Sequence, residues 1–147
     1  MNILVTGGTG FVGKALVTAL LSRGDSVTVL TRSIEKAQSI FPEKTLQFLT
    51  ALSTFKNLNA FDAVINLAGE PIFDKKWTVQ QKEKLRRSRI DLTQQLVQLI
   101  NQSEYPPALI SGSATGIYGN CGDEQITENT NPSTQFTAQL CIDWENA

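Results

Sequence analysis

The sequence predicts an α/β fold: a doubly wound parallel sheet of five strands, order 3-2-1-4-5, with helices on both faces in three αβα layers. Three observations predict it. Short apolar, β-branched runs alternate with longer segments whose apolar residues recur at helical spacing. The first run empties into a glycine-rich turn that opens a helix. Finally, 147 residues with 41% hydrophobic and 18% charged content suit one globular domain and neither a disordered nor a membrane-embedded chain.

The elements follow in order. Ile3-Leu4-Val5 is a short apolar run of the kind found in buried parallel strands, and it stops at Thr6-Gly7-Gly8-Thr9-Gly10. Beyond the turn, Phe11, Val12, Ala15, Leu16, Ala19 and Leu20 predict a helix that Arg23-Gly24 ends. Val27 to Leu30 is the second strand, followed by a helix from about Ser33 to Ile40 that Pro42 closes. Leu46 to Leu49 is read as a third strand and Ala63 to Ala68 as a fourth, ending at Gly69. One long helix is expected from about Thr78 to Asn101, with Leu85, Leu92, Leu96, Leu99 and Ile100 along one face. Pro106-Pro107 ends it, Ala108 to Ser111 is the fifth strand, and a glycine- and acid-rich loop leads to a last amphipathic segment, Phe136 to Glu145. Trp77 and Trp144 are read as packing anchors at helix ends.

Composition excludes several chemistries. The chain has no histidine, so neither a Ser-His-Asp nor a Cys-His nucleophile can be built, and Cys121 and Cys141 cannot close a four-cysteine metal site. No metal site is expected. The N-terminus lacks a basic export region and no stretch reaches the roughly 18 apolar residues of a membrane span, which makes a reducing, cytoplasmic setting the expectation. All 13 Lys and Arg lie between Lys14 and Arg89, while Ile90 to Ala147 holds seven acids and no base. This asymmetry marks either an anion-binding half or a chance distribution over a solvated surface. Neither nucleic acid nor a membrane is expected as a partner.

The turn places glycines three apart, at Gly7, Gly10 and Gly13. A pyrophosphate needs backbone amides presented at a helix N-terminus with no side chains in the way, and the helix dipole adds a favourable partial charge. The first glycine serves the tight turn, the second the close approach of phosphate, the third the packing of helix on strand. Dinucleotide binding by Gly7, Thr9, Gly10, Phe11, Val12 and Gly13 is therefore expected. An NAD site places an acid after the second strand to accept the ribose 2′-hydroxyl; this chain has Thr31-Arg32-Ser33. A guanidinium pairs with a 2′-phosphate and stacks on adenine, so NADP(H) is expected over NAD(H). The competing reading makes Arg32 a solvated residue after a strand.

With these residues in view, the chain resembles the extended short-chain dehydrogenase/reductases, the NAD-dependent epimerase/dehydratase family. Thr6-Gly7-Gly8-Thr9-Gly10-Phe11-Val12-Gly13 has that family's TGxxGxxG form. Asn66-Leu67-Ala68-Gly69-Glu70, Ser88-Arg89-Ile90-Asp91-Leu92-Thr93 and Leu140-Cys141-Ile142-Asp143-Trp144-Glu145 narrow the resemblance to an atypical, YfcH-like or SulA-family subgroup, across the whole chain. The resemblance implies a Rossmann-type domain over residues 1–147, with the cofactor across the C-terminal ends of the strands. It places Leu67, Ala68, Gly69 and Glu70 along the cofactor and Ser111 to Ser113 near the nicotinamide. Arg89 stands where typical members carry a structural asparagine, and is either a cofactor or substrate contact or a plain exposed helix arginine.

Typical members transfer hydride with a Tyr-x-x-x-Lys pair and a serine. The ammonium lowers the tyrosine pKa, and the serine hydroxyl polarises the substrate oxygen. Ser113 matches the serine. The pair is missing: four residues beyond Tyr105 and Tyr118 stand Leu109 and Gly122, and no lysine follows Lys84. Aligning the family's helix glutamate with Glu145 puts Cys141 at the lysine position and Thr137 at the tyrosine position. Tyr118 corresponds to an aromatic that usually packs below the serine and is a secondary catalytic candidate, while Cys141 is either a nucleophile or inert core. Extended members run to about twice this length, so a missing C-terminal substrate lobe is expected, the chain being a fragment or a stand-alone half whose uncovered apolar surface leaves homo-oligomerisation open. The expected function is an NADP(H)-binding domain of a nucleoside-diphosphate-sugar epimerase/dehydratase-like oxidoreductase without complete catalytic machinery, its small-molecule substrate unknown. The alternatives are a redox-sensing regulatory module that acts through a protein partner, and an active oxidoreductase using Ser113 with Tyr118 or a cofactor-bound water.

Overall fold

Apolar strand residues that alternate between two faces require a helix layer on each face, and the chain provides both. The computed structural model describes residues 1–42 and 45–147. Strands β1 (Asn2–Thr6), β2 (Ser26–Leu30), β3 (Gln47–Leu49), β4 (Ala63–Asn66) and β5 (Ala108–Ser111) form one sheet in the order β3-β2-β1-β4-β5. Every neighbouring pair is parallel, and Val5 lies in register between Val29 and Ile65, with Ile110 beyond. The predicted sheet and its order are confirmed.

Ile3, Val5, Val27, Val29, Ala63 and Ile65 face one way and bury against Val17 and Leu20 of α1 (Phe11–Ser22), joined by Phe41 after α2 (Ile34–Ile40). Leu4 and Val64 face the other way, against Leu96 of α4 (Ile90–Asn101) and Leu52 and Leu58 from the connection that follows β3. α3 (Val79–Arg87) precedes α4, and α5 (Phe136–Glu145) closes the described chain within the bounds the sequence predicted. β5 is an edge strand, with Ile110 57% exposed. No helix among the described residues is long and apolar enough to cross a membrane.

The single helix expected from Thr78 to Asn101 is two helices. Thr78 does cap the first, its hydroxyl accepting from the Gln81 amide. The helix then breaks at Ser88-Arg89, where Arg89 takes φ −109° and ψ −60° and caps α4. The cause is tertiary. The Ser88 hydroxyl donates to the Leu85 carbonyl and accepts from the Glu70 amide, 18 residues away, which ties the helix junction to the loop after β4. The fourth strand is also shorter than expected, because Leu67 and Ala68 leave the sheet beside the glycine turn.

Candidate functional site

The glycine turn is shaped by backbone contacts. Gly7 has φ +67°, a region costly for other residues, and its carbonyl accepts from the Gly10 amide at 2.9 Å. A Cβ on Gly7 would stand 2.5 Å from the Leu67 carbonyl carbon, so the chain leaving β4 passes directly against the turn. A Cβ on Gly13 would meet the Gly7 carbonyl oxygen at 2.2 Å, so α1 reaches the end of β1 only because that position is bare. Gly10 caps α1 without a side-chain hydrogen bond, leaving the first helical amides uncovered by any side chain. Phe11 and Val12 sit in that first turn, 97% and 62% exposed.

Around this turn lies a cleft of about 800 Å³ at the C-terminal ends of β1, β2, β3 and β4. Of the residues predicted to bind cofactor, Gly7, Thr9, Gly10, Thr31, Arg32, Ser33, Leu67, Ala68, Gly69 and Glu70 line it. At the far rim the Thr31 hydroxyl donates to the Ser33 carbonyl, and the Ser33 hydroxyl caps α2 by accepting from the Lys36 amide, which leaves its own proton free to donate. The Arg32 side chain is 90% exposed at the mouth. Sequence reasoning missed Lys36, Thr50, Ser88 and Leu92, which also line the cleft. Thr50 could have been found, since it follows β3 as Thr31 follows β2; Lys36 is placed only by the turn of helix that Ser33 caps.

Electrostatically the cleft turns on Glu70. Its carboxylate is 9% exposed and stands 3.0 Å from Lys84 Nζ, 3.5 Å from Arg32 Nη1 and 3.8 Å from Lys75 Nζ. The Lys84 ammonium holds the Glu70 carboxyl below the usual carboxylate range, against burial, which pushes it up. Lysines and the arginine from the base-rich stretch thus gather at one edge of the cleft.

Beneath the cleft a buried polar chain fixes the strand ends. Thr6 Oγ1 accepts from the Ala68 amide at 3.2 Å and donates to Asn66 Oδ1 at 2.6 Å. Asn66 Nδ2 donates to Thr93 Oγ1 at 2.9 Å and to Ser111 Oγ at 3.2 Å, and Trp144 Nε1 donates to the same Thr93 oxygen at 3.1 Å. β1, β4, β5, α4 and α5 are thereby locked together just below the site. Arg89 belongs to this layer and is no exposed helix arginine: it is buried, donates to the Leu85 and Glu70 carbonyls, and lies 5.4 Å from the Trp144 ring centroid. It positions the loop carrying Glu70, and neither it nor Ser111 lines the cleft. Trp144 is the packing anchor expected. Trp77 is 41% exposed, its indole N–H on the Ile72 carbonyl and its ring 5.7 Å from Phe136.

Ser113 and Tyr118 lie beyond β5, outside the cleft. The Ser113 hydroxyl donates to the Glu145 carboxylate. Tyr118 ends a 3₁₀ turn, Thr115–Tyr118, half-buried, and its carbonyl accepts from Cys121 Sγ. Cys141 is buried on α5, and burial pushes its thiol up, away from the thiolate a nucleophile needs. The Ser113 hydroxyl is thus engaged by an acid, and no lysine follows Lys84 in the chain.

Comparison with known proteins agrees with this geometry. The model of the NAD dependent epimerase/dehydratase family matches residues 3–146. The chain is 38% identical, over 99% of its length and 43% of the relative's, to an epimerase family protein SDR39U1 homolog of Arabidopsis thaliana. It is 36% identical, over 99% of its length and 48% of the relative's, to the epimerase family protein YfhF of Bacillus subtilis. Among solved structures, human epimerase family protein SDR39U1 with NADPH superposes with a TM-score of 0.83 at 29% identity, covering 99% of this chain and 48% of that one. A nucleoside-diphosphate sugar epimerase from Corynebacterium glutamicum gives 0.76 at 33% identity, covering 99% and 30%. The chain thus spans about half the length of the curated relatives it matches.

Proposed function

The chain belongs to the NAD-dependent epimerase/dehydratase family, and on that premise we propose that residues 1–147 are its dinucleotide-binding domain, taking NADP(H) in the cleft at the C-terminal ends of β1 to β4. The observation that carries this reading is the cleft at the C-terminal ends of β1 to β4, lined by Gly7, Thr9 and Gly10 of the close-packed glycine turn and set at the uncapped start of α1. The pyrophosphate would rest on the amides of Phe11 to Gly13, and the adenosine end would run toward Thr31, Arg32 and Ser33. Arg32 with Lys36 favours a 2′-phosphate, and no acid stands among Thr31 to Ser33, directly after β2, to accept a free 2′-hydroxyl. The NADPH in the human relative's structure supports the same preference.

Bound there, a nicotinamide cofactor would supply hydride transfer, and the whole protein would be an oxidoreductase of the nucleoside-diphosphate-sugar epimerase/dehydratase kind. This chain's own residues give that chemistry little: the one Ser113 hydroxyl proton is engaged by the Glu145 carboxylate, and no lysine follows Lys84 to stabilise a phenolate or alkoxide. We therefore read the domain as one for binding, without the complete catalytic set. The missing Tyr-x-x-x-Lys pair equally favours the second reading, a redox-ratio sensor acting through a protein partner. A reducing, cytoplasmic compartment suits two free cysteines.

Fluorescence titration with NADPH and NADH of the wild type and Arg32→Ala tests the cofactor. NADPH is expected to bind more tightly, with the preference largely lost in the variant. Equal or tighter NADH binding by the wild type, or an unchanged preference in Arg32→Ala, would overturn the assignment.

A further inference from the structure

Among the described residues Glu70 is the one carboxylate that lines the cleft, and it comes from the loop after β4 to meet Arg32 after β2. Its three cationic neighbours are not equivalent. Lys84 sits within hydrogen-bond reach at 3.0 Å, whereas Arg32 touches at 3.5 Å with its side chain almost wholly in solvent. A buried carboxylate stripped of all partners is costly. Held by Lys84, Glu70 can release Arg32 without being left unpaired.

A phosphate seated on the Arg32 guanidinium would therefore have to draw it from Glu70 and would lie within several ångströms of that carboxylate. A dinucleotide with a neutral 2′-hydroxyl faces neither penalty. Building on the dinucleotide site assigned above, we propose that Glu70 is a specificity-determining residue of the cleft: secured by Lys84, its carboxylate competes with a ligand's 2′-phosphate for Arg32 and narrows the preference for the phosphorylated cofactor. Glu70 then works as a counterweight. The base-rich rim attracts the 2′-phosphate, and the one acid within it sets how strongly the two cofactors are distinguished.

The test is the ratio of NADPH to NADH affinity, which a purely structural role would not move. Glu70→Gln preserves shape and can still accept from Lys84. Removing one charge several ångströms from a dianion in a partly wet site is worth about threefold to tenfold tighter NADPH binding, with NADH changed less than about twofold. The gain shrinks when Arg32→Ala is added. Lys84→Gln, an exposed position that leaves the buried residues in place, moves the ratio the other way by freeing Glu70 to grip Arg32. An unchanged ratio in both variants overturns the proposal. So does parallel weakening of NADPH and NADH in Glu70→Gln, which would make the carboxylate a ribose-hydroxyl acceptor. Arg32→Ala alone reports on the underlying site: if it lowers the ratio while Glu70→Gln and Lys84→Gln leave it unmoved, the site stands and only the role of Glu70 falls; if it leaves the ratio unchanged, or the wild type binds neither cofactor, the assignment of Arg32 and the competition for it fail together.

Discussion

Replacing Gly13 by alanine sets two effects of opposite sign against each other. Position 13 lies inside α1, where helix propensity alone favours alanine over glycine by about 1 kcal/mol. The added methyl, however, would stand 2.2 Å from the Gly7 carbonyl oxygen and 2.7 Å from the Gly8 Cα, both backbone atoms that cannot rotate aside. Carbon contacts ordinarily lie at about 3.5 Å, so the turn and the helix must part by about 1 Å. Forced overpacking of this kind costs about 1–3 kcal/mol, and more where backbone has to move, so it outweighs the propensity gain. At about 2–4 °C per kcal/mol for a chain of this size, Gly13→Ala should melt several degrees below the wild type. NADPH affinity should fall about tenfold or more, since the amides of the turn no longer converge. Calorimetry and cofactor titration read both effects. Gly116→Ala is the control, because a Cβ there has no neighbour within 4 Å, and it should stay within about 0.5 kcal/mol of wild type. A Gly13→Ala protein as stable as the wild type, with undiminished binding, would refute the packing argument.

Asn66→Leu removes a fully buried amide and leaves the Thr6, Thr93 and Ser111 hydroxyls short of a partner, so urea denaturation should show a loss of about 2–4 kcal/mol; a loss under 0.5 kcal/mol would contradict the network. Glu70, Asp25 and Asp143 are held below the usual carboxylate range, by Lys84, by Arg23 with the N-terminal ammonium, and by Gln139 with Arg86 respectively. Groups with depressed folded-state pKa values stabilise the fold above their unfolded values of about 4, and that stability disappears as pH falls through the folded values. The melting temperature should therefore hold from neutrality to about pH 5 and drop below about pH 4, and a rise on acidification would contradict the sign. Cys141 behaves oppositely: burial raises its pKa, so its contribution is complete below the ordinary thiol value of about 8.5 and is lost as pH climbs beyond it. A thiol reagent at neutral pH should accordingly label native Cys141 only as fast as the protein opens.

Much of the fold is legible because its signals are local. Ile3 to Val5 form an apolar run of the kind buried on both faces, and the glycines at 7, 10 and 13, placed between that run and the helically spaced residues from Phe11 to Leu20, mark a strand–turn–helix start. The break at Ser88-Arg89 is not legible. No glycine or proline marks it, and the apolar spacing continues from Leu85 to Leu92; the break comes from the Glu70 amide and carbonyl, which capture the Ser88 hydroxyl and the Arg89 guanidinium. The same distance in sequence hides the Arg32–Glu70 contact, 38 residues apart. The core of the candidate site, from Gly7 to Gly10 and from Thr31 to Ser33, is readable because strand-end position in a doubly wound sheet follows from strand order. Its electrostatic partners are set by side chains that meet only in three dimensions.

The most direct test of where this chain binds its ligand is an NMR titration of the backbone amides with NADPH. The largest shift changes should fall on Gly7 to Gly13, Arg32, Ser33 and Gly69, saturating together at one equivalent. Saturation without shifts in the glycine turn, or shifts centred on β5 and α5 with the turn untouched, would contradict the assignment of the cleft.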